Sequence, residues 1–127
     1  MTTQEQEIIV SELLGPLSMH FRRGEAAYQN LHSDGRQFLF AKILRDNNRE
    51  IRNLILTKGY LLPLNQQQHA IDLVAHLDIW LELWQQLAAT KTFRPEDEFS
   101  FESCKYPQAA AAALKEFCFT LGNPSNQ

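Results

Sequence analysis

Apolar residues recur every three or four positions along most of the chain, and this period is typical of amphipathic helices. Pro63 would end any preceding element, and Asn65 is a residue type that caps a first helical turn. The pattern predicts a helix over about 65–89, with one apolar face made of Ala70, Leu73, Val74, Leu77, Leu81, Trp84 and Leu87.

A second periodic run predicts a helix over about 35–58. Ser33 or Asp34 is the expected N-cap, and Gly59 is the expected left-handed residue after the last turn. Asn47 interrupts the stripe, and a core asparagine is tolerated only when it is hydrogen-bonded. We therefore expect Asn47 to fasten this helix to a neighbouring segment. The apolar stripe itself consists of Phe40, Ile43, Leu44, Ile51, Leu54 and Ile55.

Helical patterns also cover the two ends of the chain, over about 4–31 and 108–121. Gly15-Pro16 interrupts the first, because proline lacks an amide hydrogen and clashes with the preceding turn. A kinked helix and a pair of helices, the second opened by Pro16, both fit this interruption. The last helix follows Pro107 and contains five consecutive alanines, and a frayed tail is expected over 122–127.

The only long stretch without a helical period is 91–106. Three phenylalanines in it, Phe93, Phe99 and Phe101, are expected to hold this loop against the helices. No strand pattern of useful length occurs anywhere in the chain. Together the patterns predict an all-α fold, a four- or five-helix antiparallel bundle forming a single domain over 1–127.

Composition supports a folded domain and adds a division of charge. Hydrophobic residues make up 44% and charged residues 21% of the 127, which excludes a disordered chain. The net charge of −3 argues against a polyanion as a global partner. It conceals a segment, 20–58, with eight basic and four acidic residues, followed by 59–127 with four basic and eight acidic residues.

The start of the chain is acidic and its first apolar run is short, so neither a signal peptide nor a membrane span is expected. Cys104 and Cys118 lack the spacing of a metal or redox motif. Reduced thiols, with Cys118 buried, are the simplest expectation. The chain is therefore predicted to be cytoplasmic and to lack cofactors.

Arg45, Arg49 and Arg52 form a basic stripe on the second predicted helix. Such a stripe can bind nucleic acid, but ion pairing with acidic residues of the same chain is the favoured explanation, and an acidic protein partner ranks next. Trp80 and Trp84, one turn apart, are candidates for an interface, with burial of both in the core as the alternative.

Three residues on one side of the long helix, His69, Asp72 and His76, have a spacing that can contribute metal ligands. A further ligand from elsewhere would be needed, so a metal is not predicted. No short motif of a hydrolase, kinase, zinc protease or dinucleotide-binding enzyme occurs. The sequence therefore favours a protein without catalytic activity.

Three stretches together resemble a loose group of uncharacterised bacterial helical domains. They are 48–55 running on to Tyr60-Leu61-Leu62-Pro63, then 73–77 around His76, and then Phe99-Ser100 with Tyr106-Pro107. The resemblance covers roughly 40–120 and implies a helical fold without an established activity. It singles out Asn48, His76 and Tyr106, which we expect to form one polar cluster joining the second, third and last helices.

Three hypotheses of function follow. The first is a non-enzymatic helical module that binds a protein partner or a second copy of itself, with the tryptophans and the arginine stripe at its interface. The second is an enzyme or small-ligand-binding protein with a pocket centred on His76 and Asn48. The third is a nucleic-acid binder that uses Arg45, Arg49 and Arg52.

Overall fold

Helices make up almost all of the structure, a computed structural model that describes residues 2–101 and 108–122. Within these ranges there is no strand, only one isolated bridge between Gln37 and Glu98. The prediction of an all-α bundle is confirmed. The helices are α1 (Thr3–Ile9), α2 (Gly15–Ser33), α3 (Phe38–Lys58), α4 (Leu64–Ala88) and α5 (Gln108–Gly122).

The Gly15-Pro16 interruption is a π-helical turn over Val10–Leu14 that joins α1 to α2. Proline has no amide hydrogen for the regular helical ladder, and a π turn is one way in which a helix absorbs such a defect. A Cβ at Gly15 would lie 2.9 Å from the carbonyl oxygen of Val10, so glycine fits the narrow site beside the bulge. Pro16 lies in the first turn of α2, and the backbone is helical without a break from Thr3 to Ser33, so the interruption is a bulge within one helical run rather than a gap between two helices.

The start of α3 differs from the prediction. Ser33 is the last residue of α2 rather than the cap of α3, and Gln37 precedes α3 without a side-chain cap. The loop after α4 provides the cap instead. The amides of Phe38 and Leu39 donate to the carbonyls of Asp97 and Pro95 at 2.7 and 2.9 Å. These carbonyls accept hydrogen bonds from two of the amides at the start of α3 that have no acceptor within the helix.

The caps predicted around the turn between α3 and α4 are also wrong. Gly59 has a φ of −61°, so it is not left-handed, and the chain continues into a 3₁₀ turn over Gly59–Leu61. Pro63, not Asn65, is the residue before α4, and no side chain caps that helix. The side-chain amide of Gln67 instead donates back to the carbonyl of Leu62 at 2.8 Å and holds the turn.

The four long helices close a ring in which α2 packs on α3, α3 on α4, α4 on α5, and α5 on α2. Polar contacts show that α2 and α3 are antiparallel. Glu12, just before α2, pairs with Lys58 at the end of α3, while His20 meets Asn47 farther back along α3. No helix in the described ranges is both long enough and apolar enough to cross a membrane.

The core is divided into two clusters. The aliphatic cluster fills the end of the bundle near α1, and its most buried members include Leu13, Leu17, Ile51, Leu73, Leu77 and Leu114. The aromatic cluster fills the other end, and its members include Leu31, Ala41, Leu44, Trp80, Trp84 and Phe99.

The loop after α4 belongs to the aromatic cluster, as its phenylalanines predict. The Phe99 ring packs at centroid distances of 4.9 Å from Trp84, 5.1 Å from Phe93 and 5.5 Å from Phe101. Asp97 stabilises the turn because its carboxylate accepts a 2.8 Å hydrogen bond from the Arg94 amide, which lowers the pKa of Asp97. The loop therefore both caps α3 and completes the core at this end.

Candidate functional site

A cavity of about 850 Å³ lies where the two core clusters meet. All four long helices and the loop after α4 contribute to its walls. Its residues include Phe21, Gly24 and Tyr28 of α2, Leu44, Asn47, Asn48 and Ile51 of α3, Trp80 of α4, Phe99 and Phe101 of the loop, and Ala111, Ala112 and Lys115 of α5. Its volume falls within the range of pockets that hold small organic molecules.

The cavity has an apolar buried end and a polar rim. The buried walls are mainly aliphatic and aromatic, and the only buried polar side chains among the described residues, Asn47 and Asn48, both lie there. The rim carries the ionisable side chains of Glu25, Lys115 and His32, together with Arg36. Lys115 Nζ lies 3.2 Å from Glu25 Oε1, so opposite charges are paired across the mouth between α2 and α5.

Asn47 is fully buried and fastens α3 to α2, which confirms the structural role predicted for it. Its side-chain Nδ2 donates to the carbonyl of His20 at 2.8 Å, and its Oδ1 lies 3.4 Å from His20 Nδ1. A Cβ at Gly24 would lie 2.8 Å from Nδ2 of Asn47. The absence of a side chain at Gly24 therefore allows the two helices to approach at this hydrogen bond.

Asn48 is equally buried, at 2% exposed, but its environment is different. It lines the cavity, and no hydrogen bond from any other described residue reaches its side-chain amide. Two adjacent asparagines of one helix thus differ in one respect. The amide of Asn47 is hydrogen-bonded within the protein, whereas the amide of Asn48 is available to a molecule in the cavity.

His76, a second member of the predicted polar cluster, does not join Asn48. His76 is exposed on α4 and is not part of the cavity wall. It lies about a quarter turn from the centre of the buried face, since successive helical residues are rotated by about 100°. Tyr106 lies outside the described residues. The hypothesis of a pocket centred on His76 is therefore wrong, whereas Asn48 does line the cavity.

Both tryptophans belong to the core, so the interface predicted for Trp80 and Trp84 is wrong. They are 3% and 0% exposed, respectively. Trp80 forms part of the cavity wall, and Trp84 packs against Phe99 and beneath the Arg45 guanidinium, whose carbon lies 4.7 Å from the ring centroid. The aromatic loop provides the extra packing surface that makes burial of two indoles possible.

The arginine stripe is engaged mostly within the chain. Arg45 pairs with Asp46 at 2.8 Å, and Arg52 pairs with Asp78 of α4. Only Arg49, which is exposed, has no ion pair with another described residue. These contacts match the favoured explanation, intramolecular pairing, and leave little of a continuous basic surface for nucleic acid.

The metal candidates do not converge. Among the described residues there is no group of three His, Cys, Asp or Glu side chains placed to hold a metal ion. His69 and His76 are seven residues apart, or about 10 Å along the helix axis at about 1.5 Å per residue. Asp72 accepts a hydrogen bond from the Gln68 side chain at 3.0 Å. A single ion cannot bridge all three from one helix.

A second cavity of about 440 Å³ lies between the π turn, α2 and α5, and shares Phe21, Glu25 and Lys115 with the first. Cys118 lines it, and burial raises the pKa of this thiol to about 11 from its ordinary value of 9.0. Because the thiolate is the nucleophilic form, Cys118 is not an activated nucleophile at neutral pH.

We expect Cys118 in the folded chain to react with iodoacetamide at pH 8 at least tenfold more slowly than in the urea-unfolded chain. Burial both shields the sulfur and holds it protonated. Peptide mass spectrometry follows Cys118 separately from Cys104, which lies outside the described residues. The same raised pKa stabilises the folded chain below pH 9, and this contribution is lost as the pH rises towards 11. Equal alkylation rates would show that the thiol is accessible.

Sequence reasoning missed the cavity, because its walls come from five separate segments that no local pattern relates. It also missed the rim pair of Glu25 and Lys115, which are ninety residues apart. One signal was present in the sequence. Gly24 interrupts an otherwise helical pattern, and such a glycine often marks a close approach of two backbones.

No family model matches the chain, and searches of curated proteins and of solved structures find no protein that is significantly similar to it.

Proposed function

We propose that this protein binds a small organic molecule in the cavity between its helices and acts through that binding rather than through catalysis. Of the two residues expected to form the centre of a ligand pocket, Asn48 lines the cavity and His76 does not. The proposal replaces the hypothesis of a protein-binding module, because the two tryptophans expected to anchor that interface lie in the core.

The observation that carries the proposal is the amide of Asn48. Its side chain has no hydrogen bond to another described residue, and yet it is not among the fully enclosed polar atoms without a partner, which are Gln66 Oε1 and Trp84 Nε1. The amide therefore faces the open space of the cavity, next to a second asparagine whose amide is hydrogen-bonded within the protein. A ligand that hydrogen-bonds Asn48 takes the place of water at this amide, so the hydrogen bond adds direction and selectivity to the apolar packing.

The rest of the cavity supports the same reading. Apolar and aromatic walls with a few convergent polar groups are the usual composition of a small-molecule site. Four helices and a loop contribute to the walls, and the cavity opens to solvent at its rim, so the inner part of a bound molecule would be removed from water. Binding is therefore the activity that this geometry favours.

A bulky side chain at the rim tests the proposal. Ala112 is exposed on α5 and belongs to the cavity wall, so Ala112→Phe narrows the mouth without disturbing a buried position. Ala109 is exposed on the same helix but is not part of the wall, so Ala109→Phe is the matched control. We expect Ala112→Phe to weaken the binding of fragments at least tenfold, while Ala109→Phe leaves it unchanged.

The measurement is ligand-observed NMR with a library of neutral aromatic and aliphatic fragments, followed by titration of those that bind. Thermal unfolding of both variants establishes that they fold. The proposal fails if no fragment binds the unmodified protein, or if those that bind are equally affected by the two phenylalanines.

A further inference from the structure

The polar groups at the buried end of the cavity restrict the chemistry of a ligand. Asn47 already donates to the His20 carbonyl, so Asn48 is the polar side chain there with hydrogen bonds to offer. A primary amide presents a donor beside an acceptor in one plane. It is satisfied by a partner that presents an acceptor beside a donor in the same arrangement.

The charges of the site argue against an anionic group at the buried end. The ionisable side chains of the lining, Glu25, His32 and Lys115 together with Arg36, are exposed or half-buried at the rim, whereas Asn48 is 2% exposed. Lys115 is also paired with Glu25. Leu44 and Ile51, about one turn before and after Asn48 on α3, line the wall beside it. A carboxylate or phosphate placed there would lose its hydration without gaining a charged partner, which is strongly unfavourable. The inner group of the ligand is therefore neutral.

The aromatic wall restricts the shape. Phe101 lies between Trp80 and Phe99, at centroid distances of 5.7 and 5.5 Å, and all three rings border the cavity. Flat π systems pack well against such rings, as nucleic-acid bases do when they stack on aromatic side chains. A flat heteroaromatic ring would use this wall and the Asn48 amide at the same time.

We infer that the cavity recognises a neutral purine-like base through paired hydrogen bonds to the Asn48 side chain and packing against the rings of Trp80, Phe99 and Phe101. This inference rests on the proposed function and adds the class of ligand to it. Adenine has the required pattern, because an asparagine amide can donate to its N7 while accepting from its 6-amino group.

The test is calorimetric titration of the full chain with three probes. Adenine carries the complete pattern, unsubstituted purine lacks the 6-amino donor, and naphthalene has a flat shape without any hydrogen-bonding group. We expect adenine to bind at least fivefold more tightly than purine. In Asn48→Leu, adenine should lose about 5- to 150-fold in affinity, the range that one bidentate pair contributes, while naphthalene binds as before.

Asn53 provides the matched control, since it is exposed on the same helix and is not part of the wall. Asn53→Leu should leave the affinities for all three probes unchanged. Retained naphthalene binding shows that Asn48→Leu is folded around an intact cavity. Titration with adenosine and AMP distinguishes a free base from a nucleotide as the source, and in both cases the inference requires that Asn48→Leu weakens binding.

The possible failures are distinguishable. The purine inference is overturned, and the proposed function stands, if naphthalene binds but adenine binds no more tightly than purine. The same holds if Asn48→Leu leaves the affinity for adenine unchanged. If none of the three probes binds and the fragment library yields nothing, the proposed function falls with it. Broadening or shifting of the Asn48 side-chain NH₂ resonances by adenine, but not by naphthalene, would support the hydrogen-bonding geometry directly.

Discussion

Replacing Asn47 with leucine is expected to lower the free energy of unfolding by about 2 kcal/mol, whereas the same replacement at Asn48 is expected to leave it unchanged or to raise it by up to about 1 kcal/mol. The two residues are neighbours on α3, both are buried, and leucine resembles asparagine in shape. The substitutions therefore remove the same chemical group from adjacent positions of one helix.

The difference arises from the partners. Asn47→Leu removes the 2.8 Å hydrogen bond to the His20 carbonyl and the contact with His20 Nδ1, and each hydrogen bond contributes about 1 kcal/mol net. Asn48→Leu removes an amide without a described partner, so no hydrogen bond is lost. It also places apolar surface in an apolar wall, which is favourable at about 25 cal/mol per Å².

Urea denaturation of the three proteins measures these changes, provided that the slope of the transition is the same in each. Equal losses in the two variants would mean that Asn48 has a structural role like that of Asn47. A stabilised Asn48→Leu that also loses ligand binding would show that this position serves the site at the expense of the fold, as stability and function often trade against each other.

The sequence predicts the helices well because their apolar period is a local property. The stripe around Leu73 and Leu77 identifies α4 within one residue at each end, and a stripe position identifies Asn47 as a buried polar residue. The loop after α4 is predicted to pack on the helices because three aromatic side chains in one loop favour burial. In the structure these side chains belong to the aromatic cluster.

Caps and the cavity are not predicted, because they depend on residues far apart in sequence. The first amides of α3 are satisfied by carbonyls about sixty residues farther on, so the nearby Ser33 and Asp34 are not needed as caps. The periodic pattern places Asn47 and Asn48 beside one another but cannot tell which amide meets a carbonyl. That distinction depends on the position of α2, which comes close to the Asn47 amide because Gly24 has no side chain.

Gly24→Ala is expected to change the free energy of unfolding in a direction that depends on the residue at position 47. In an exposed helical position, alanine is more favourable than glycine by about 1 kcal/mol. At Gly24 the new Cβ would lie 2.8 Å from Asn47 Nδ2, and that nitrogen is fully buried and held by the His20 carbonyl. Moving it aside breaks the hydrogen bond, and overpacking of this kind costs about 1–3 kcal/mol.

We therefore expect Gly24→Ala to destabilise the unmodified protein by about 1 kcal/mol and to stabilise Asn47→Ala by a similar amount, because the truncated side chain leaves room for the Cβ and only the helix propensity remains. A double-mutant cycle in urea measures the coupling as the departure from additivity. Additive effects would show that α2 and α3 can separate at this point without loss. A reversal of sign would establish that the Asn47–His20 hydrogen bond fixes the spacing of these helices, and with it the width of the cavity in which Asn48 lies.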